Sequence, residues 1–185
     1  QVGSTNTSTI TLGVSGDTIN VPSGVTINNN GTQTGFGGTN TPAFEANLSA
    51  NQNISDATYV KVEFNTEVFD TDNCYDNSTN YRFTPTVAGK YFVYSRLQLD
   101  SQAGSNFDQG FNRIYKNGSV YTQTQMNMGN NLPENIMLNC HATIDMNGSS
   151  DYIEIFAYLN DTSGTPTVRG TSYPWSIFGA YRILI

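Results

Sequence analysis

Residues 42–185 predict an antiparallel all-β domain, a sandwich or a jelly roll. Three observations lead to this. Apolar and polar residues alternate in run after run. The gaps between runs carry turn chemistry, as in "TVAGK", "KNGSV", "MNGSSD" and "NDTSGTP". No window keeps a helical repeat for about ten residues.

The runs, in order, are "AFEANL", "YVKVEFN", "YRFTPTV", "KYFVYSRLQL", "FNRIYKNGSVYTQTQ", "NIMLNCHATIDM", "DYIEIFAYLN" and "SIFGAYRILI". In "KYFVYSRLQL", Tyr91, Val93, Leu97 and Leu99 fall on one side of the strand and Phe92 and Tyr94 on the other. Both sides are therefore apolar near its start, whereas a lone antiparallel sheet usually keeps one face wet. "YKNGSV" carries the Asn-Gly pair that favours a two-residue type I′ hairpin. In "NIMLNCHATIDM", Ile136, Leu138, Cys140, Ala142 and Ile144 make the buried set, with His141 opposite. "DYIEIFAYLN" repeats the doubled pattern: Ile153, Ile155 and Leu159 face the core, and Tyr152, Phe156 and Tyr158 face away. In the last run alternation leaves open whether Tyr181 faces inward; Arg182 falls opposite it.

Residues 1–34 differ from the rest. "TITL", "TINV" and "VTIN" are short alternating units separated by Gly, Pro and Ser, recurring at roughly eight or nine residues. They predict a few rungs of a strand-repeat arm or shaft, too few to bury a core without neighbouring chains or a larger protein; an extended arm with no regular fold is the alternative. Residues 35–41, opening with "GFGG", predict a flexible linker. A chain that starts at Gln1 is expected to be part of something longer.

Composition excludes several functions. Charged residues make up 12% of the 185 positions, about half of the roughly 25% usual in soluble proteins. The net charge is −7. Nucleic acid is excluded as a partner, because phosphate contacts need Lys and Arg. No apolar run approaches the roughly 18–20 residues of a membrane span, so no membrane insertion is expected. With 37% hydrophobic residues the core does not need a disulfide, and Cys140 on a buried strand face favours free thiols over a Cys74–Cys140 bridge.

Catalytic and metal constellations are sparse. His141 is the single histidine, with no nucleophile and orienting acid beside it, so it reads as a surface or interface residue. Asp70, Asp72 and Asp76 in "DTDNCYDN" are weak calcium candidates. Tyr75 and Tyr81 occupy the positions where an EF-hand needs Gly and Glu, and turn capping explains the aspartates better. Glu63 and Glu67 share a face, and Asp151 and Glu154 are close in sequence, but nothing assembles the carboxylate pair of a glycosidase. No enzyme, metal or cofactor is expected.

Several stretches together resemble the C1q-like globular head of the tumour necrosis factor jelly-roll superfamily. "PAFEANLSA" is similar to its first strand. "YVKVEFNTEVFDTDNCYDNSTNYRFTPTVAGKYFVYS" resembles its most characteristic segment, with Tyr75, Asp76, Phe83, Pro85, Gly89 and Tyr91 at matching positions. "NGSSDYIEIFAYL" and "WSIFGAYRILI" resemble its last two strands, although Ser150 stands for a usual glycine and Val93 for a usual phenylalanine.

The resemblance implies a jelly-roll head over residues 42–185 that assembles as a compact C3 trimer. Phe92, Tyr94, Tyr152, Phe156 and Tyr158 would then meet neighbouring copies. Composition and the arm-linker-head order are similar to those of bacteriophage structural proteins with such heads. The expectation is a virion-surface fibre or decoration protein. Its arm would contact other virion proteins, and loops such as "QAGSNFDQG" and "NMGNNLPEN" would meet a host surface glycan or protein. A bacterial or exosporium-type adhesin and a receptor-free capsid cement protein are the alternatives.

Overall fold

The computed structural model describes residues 11–28, 30, 40–102, 104, 106–130, 132–170 and 173–184. The chain divides into two compact units, Gln1–Gly37 and Gly38–Ile185. Only strands, turns and irregular segments occur among the described residues, with no helix.

In the first unit, hydrogen-bonded turns close at Val14–Asp17 and Pro22–Val25, eight residues apart (14 to 22). Each has a glycine in its third position at positive φ, Gly16 at 97° and Gly24 at 86°, as a type II turn requires. Residues 11–28 pair into no strand, and Leu12, Val14, Ile19, Val21, Val25 and Ile27 are 40% to 77% exposed. The strand rungs expected from the repeat do not form over residues 11–28. Residues 1–10, 29, 31–34 and most of the linker, 35–39, lie outside the described residues.

Among the described residues the head contains thirteen strands. The long ones are β1 (Ala43–Asn47), β4 (Thr66–Asp70), β7 (Gly89–Asp100), β8 (Phe107–Lys116), β9 (Ser119–Asn127), β10 (Asn135–Met146), β11 (Ile153–Asp161) and β13 (Ile177–Arg182). Two-residue strands fill the rest: β2 (Gln52–Asn53), β3 (Val60–Lys61), β5 (Tyr75–Asp76), β6 (Arg82–Phe83) and β12 (Thr167–Val168). They form two antiparallel sheets. The larger runs β2-β12-β7-β13-β1-β4, with β10 along the other edge of β7. The smaller runs β5-β6-β11-β8-β9, with β3 also on β11.

The alternation in the sequence is the alternation in burial. On β7, Tyr91, Val93, Leu97 and Leu99 are fully buried, and on β11 so are Ile153, Ile155, Ala157 and Leu159. Each such Val, Leu or Ile side chain contributes roughly 1.5–3 kcal/mol by leaving water. Phe44 of the larger sheet lies between Tyr75 and Phe83 of the smaller one, centroids 4.5 Å from each, with Phe178 edge-on at 4.8 Å. Asn112 of β8 is fully buried and donates to the carbonyls of Ser95 and Leu138 across the core. Its Oδ1 accepts from the Ser95 hydroxyl at 2.8 Å, so this polar bridge between the sheets is satisfied.

The Asn117-Gly118 hairpin has both residues at positive φ, 52° and 75°, the type I′ geometry expected of that pair. Cys74 and Cys140 are both free and buried, and burial pushes the Cys140 thiol above its ordinary pKa. Tyr181 faces outward, while Arg182 turns back against Gly89.

Candidate functional site

The outward face of the larger sheet is organised in rows set by strand register. His141, Tyr94, Gly179, Glu45 and Phe69 lie side by side across β10, β7, β13, β1 and β4. In the adjacent row Thr143, Phe92 and Tyr181 align, and in the next Asn139, Arg96 and Ile177. Residues directly opposite in paired strands share a face, so these rows are the surface this sheet presents away from the core.

Gly179 shapes the centre of the face. A Cβ there would fall 2.4 Å from the Tyr94 ring, so only glycine lets the ring lie across β13. From that position the Tyr94 hydroxyl donates to Glu45 Oε2 at 2.7 Å. Burial first, and the Glu45 carboxylate second, push the Tyr94 phenol well above its ordinary pKa. Phe92 stands beside it, 6.2 Å from Tyr94, 5.5 Å from Tyr181 and 5.8 Å from His141. These rings retain exposed surface; Phe69 is 46% exposed and Tyr181 40%.

The other three aromatics marked in the sequence lie elsewhere. Phe156 and Tyr158 project from β11 on the outward face of the smaller sheet, and Tyr152 just precedes that strand. The fold thus brings Phe92 and Tyr94 together but puts them on the opposite side of the sandwich from Tyr152, Phe156 and Tyr158. The second set is half-buried, as Phe92 and Tyr94 are, and is packed by aromatic and cationic side chains of its own chain. The Arg113 guanidinium sits 3.7 Å over Tyr59, which packs on Tyr158 at 4.7 Å; Phe111 meets Tyr158 edge-on at 5.3 Å. Tyr115 packs on Phe156 at 4.2 Å, and Arg82 lies 4.6 Å over Tyr152. Cations held over ring faces are favourable contacts that also screen the rings from solvent.

The distribution of exposed large apolar residues follows the same division. Val68, Phe69, Met137 and Tyr181 lie on the larger sheet, and Val120, Tyr121 and Met126 on edge strand β9. Among the described residues none lies on β8 or β11. β9 adjoins the edge of the larger sheet, because the Tyr121 and Thr124 hydroxyls donate to the carbonyls of Thr143 and Asn139 on β10.

The acidic loop is a set of turn caps. Asp76 accepts from the amides of Ser78, Thr79 and Asn80 and from the Asn80 side chain at 2.7 Å, which holds its carboxyl well below the usual range. Asp70 accepts from the amides of Asp72 and Tyr75, and Asp72 from the Thr71 hydroxyl. No group of three or more His, Cys, Asp or Glu suited to a metal forms among the described residues. Glu154 and Asp151 pair with Lys61 at 2.5 Å and Lys116 at 2.8 Å, and Glu63 and Glu67 stay exposed.

At one pole the connections after β7, β9 and β11 meet. Ser101 and Phe107 donate to the carbonyls of Glu134 and Pro133, and Thr162 and Thr165 to those of Asn106 and Ser101. The loops marked in the sequence as "QAGSNFDQG" and "NMGNNLPEN" are thereby neighbours, although 103, 105 and 131 lie outside the described residues. Beneath them Asp161 donates its backbone N–H to Asp56 at 2.9 Å, and the fully buried Asp100 pairs with Arg169. Both carboxylate oxygens of Asp161 are sealed from solvent with no hydrogen-bond partner. Desolvation, then the charges of Asp56 and Asp100, push its carboxyl up to about 7.

A carboxyl whose pKa rises on folding holds its proton more tightly in the native state. Native stability therefore falls as pH rises from about 4 through about 7. Asp161→Asn is expected to flatten that slope and to stabilise the protein at neutral pH by about 1 kcal/mol. That figure is below the full value of the shift, because the residue as a whole is only half-buried and nearby solvent weakens the repulsion from Asp56 and Asp100. Urea midpoints at several pH values check it.

No family model and no curated protein sequence matches the chain. Solved structures do. The chain is similar to the globular domain of zebrafish complement 1qA at 12% identity and a TM-score of 0.53, covering 78% of this chain and 98% of that one. Eiger TNF from S. frugiperda is similar at 13% identity and 0.51, covering 77% and 90%. Murine APRIL is similar at 9% identity and 0.54, covering 76% and 98%. The head is a C1q/TNF-like jelly roll.

Proposed function

We propose that this chain is a homotrimeric, non-enzymatic structural protein of a virion surface, a fibre or decoration component. Its heads join through the outward face of the larger sheet, and its polar loops are presented for attachment to a host surface. One observation carries the self-association: exposed large apolar residues gather on that sheet and on adjoining β9, while none of the described residues on β8 or β11 is one, and Phe156 and Tyr158 pack on Tyr115, Tyr59 and Phe111 of the same chain. Soluble monomers rarely expose contiguous apolar patches of this kind. Aromatic residues such as Phe92, Tyr94 and Tyr181 are the types enriched in interface centres.

The virion reading has compositional and architectural support. A charged fraction of 12%, a surface rich in Asn, Thr, Ser and Gln, and an N-terminal arm with uncovered apolar residues suit a component fixed to a large assembly. Glu154 and Asp151 are paired to lysines and Asp76 is engaged in a turn cap, which favours a structural role for these carboxylates over a catalytic one. The arm would attach to other virion proteins, and three copies of the polar loops at one pole would add avidity.

Labelling of intact particles with antibodies raised against residues 42–185 tests the location. Labelled particles whose adsorption to host cells is blocked by the antibody are the expected result. Particles that label only after disruption would instead make the chain a buried cement protein.

A further inference from the structure

We propose that His141 makes self-association of the head acid-labile, so that protomers hold together at neutral pH and separate as the imidazole takes a proton. The proposal rests on reading the outward face of the larger sheet as the surface that joins the copies. His141 is the only histidine in the chain. It is exposed on that face, directly across from Tyr94, with its ring 5.8 Å from Phe92 and tilted by 33°.

The charged and titratable groups that share this face come from five strands. β7 supplies Lys90, Tyr94, Arg96 and, at its far end, Asp100, which pairs with Arg169; β10 supplies Asp145, β13 Tyr181, β1 Glu45 and β9 Tyr121. Lys90 and Asp145 hold each other at 2.7 Å and 2.9 Å. Arg96 donates to the carbonyls of Pro174 and Trp175. Glu45 is three strand spacings from His141, roughly 14 Å, with Tyr94 between them. Among the described residues, then, no carboxylate of its own chain pairs with His141.

Covering this face with a second copy takes the imidazole out of water beside Phe92. Desolvation penalises the charged ring and hardly affects the neutral one. The separated protomer therefore binds the proton more readily than the assembled one. Acid shifts the balance toward separation, and three copies titrating together steepen the response. Histidine is the side chain whose charge changes between about pH 5 and 8, so the transition falls in mildly acidic conditions. The Asp161 carboxyl responds in the opposite sense, favouring the folded state in acid.

The test is light scattering on the full chain at low micromolar concentration, at about pH 7.5 and about pH 5.5, with far-ultraviolet circular dichroism to follow the fold. The unsubstituted chain is expected to have the mass of three protomers at the higher pH. At the lower pH it should dissociate at concentrations at least about tenfold higher. His141→Phe, which keeps a ring but has no proton to take, should remain trimeric at both. His141→Lys, permanently charged, should be dissociated at both. Equal masses at the two pH values, tighter assembly in acid, or a His141→Phe variant that still dissociates in acid would each overturn the proposal and leave the self-association reading standing. A single protomer at about pH 7.5 would overturn that reading and the proposal with it.

Discussion

Phe44→Ala is expected to lower the stability of the head by about 3–5 kcal/mol. The ring is fully buried, stacked within 9° of parallel on Tyr75 and within 22° on Phe83, and met edge-on by Phe178. Two of those partners belong to one sheet and one to the other, so the ring joins the two layers and no single neighbour can move to fill its space. Domains are stable by only about 5–15 kcal/mol, so a large share of the total is at stake. Thermal or urea unfolding should show a much lower midpoint than for Val87→Ala, which trims an exposed loop side chain and should change stability by under about 0.5 kcal/mol. Similar midpoints for the two variants would mean that the aromatic stack does not join the sheets.

On the proposed mode of self-association, Phe92→Asp is expected to give a folded monomer where the unsubstituted chain is a trimer. The side chain points away from the core, so an aspartate there has room and water in the separated protomer. In the assembly it would place an unpaired carboxylate among Tyr94, Tyr181 and His141, costing about 2 kcal/mol or more at each contact. Tyr158→Asp is the informative contrast. Its ring packs on Tyr59 and Phe111 within the same chain, so the change should lower the unfolding midpoint while leaving the mass at three protomers. Sedimentation or light scattering, read beside unfolding curves, separates the two effects. If Tyr158→Asp dissociated the protein and Phe92→Asp did not, the assignment of faces would be reversed.

That assignment was only half legible in the sequence. Alternation identifies which side of a strand faces the core, and it did so for Tyr91 and Val93, for Ile153 and Ile155, and for Cys140. It carries no information about which sheet a strand joins. Phe92 and Phe156 look alike as outward aromatics, and only the pairing of β7 with β13 and of β11 with β8 separates them. The covering of Tyr59 by Arg113 and of Tyr152 by Arg82 depends on contacts between residues dozens of positions apart, which no local pattern announces. Strand β4 escaped notice because Thr66–Asp70 is an exposed edge strand lacking a buried set. β2 and β12 are two residues each, too short for any period. Gly179 reads as one more glycine until Tyr94 is seen lying over it. By contrast, the Asn117-Gly118 turn was legible in full, because its conformation depends on those two residues alone.

The mass of the full chain in solution at low micromolar concentration, by light scattering near neutral pH, tests the central claim most directly. A mass of three protomers is the predicted result, and it would mean that the aromatic rows of the larger sheet are covered by copies of the same chain. A well-folded single protomer that stays monomeric as concentration rises would contradict the account, leaving Phe92, Tyr94 and Tyr181 to a partner other than the protein itself.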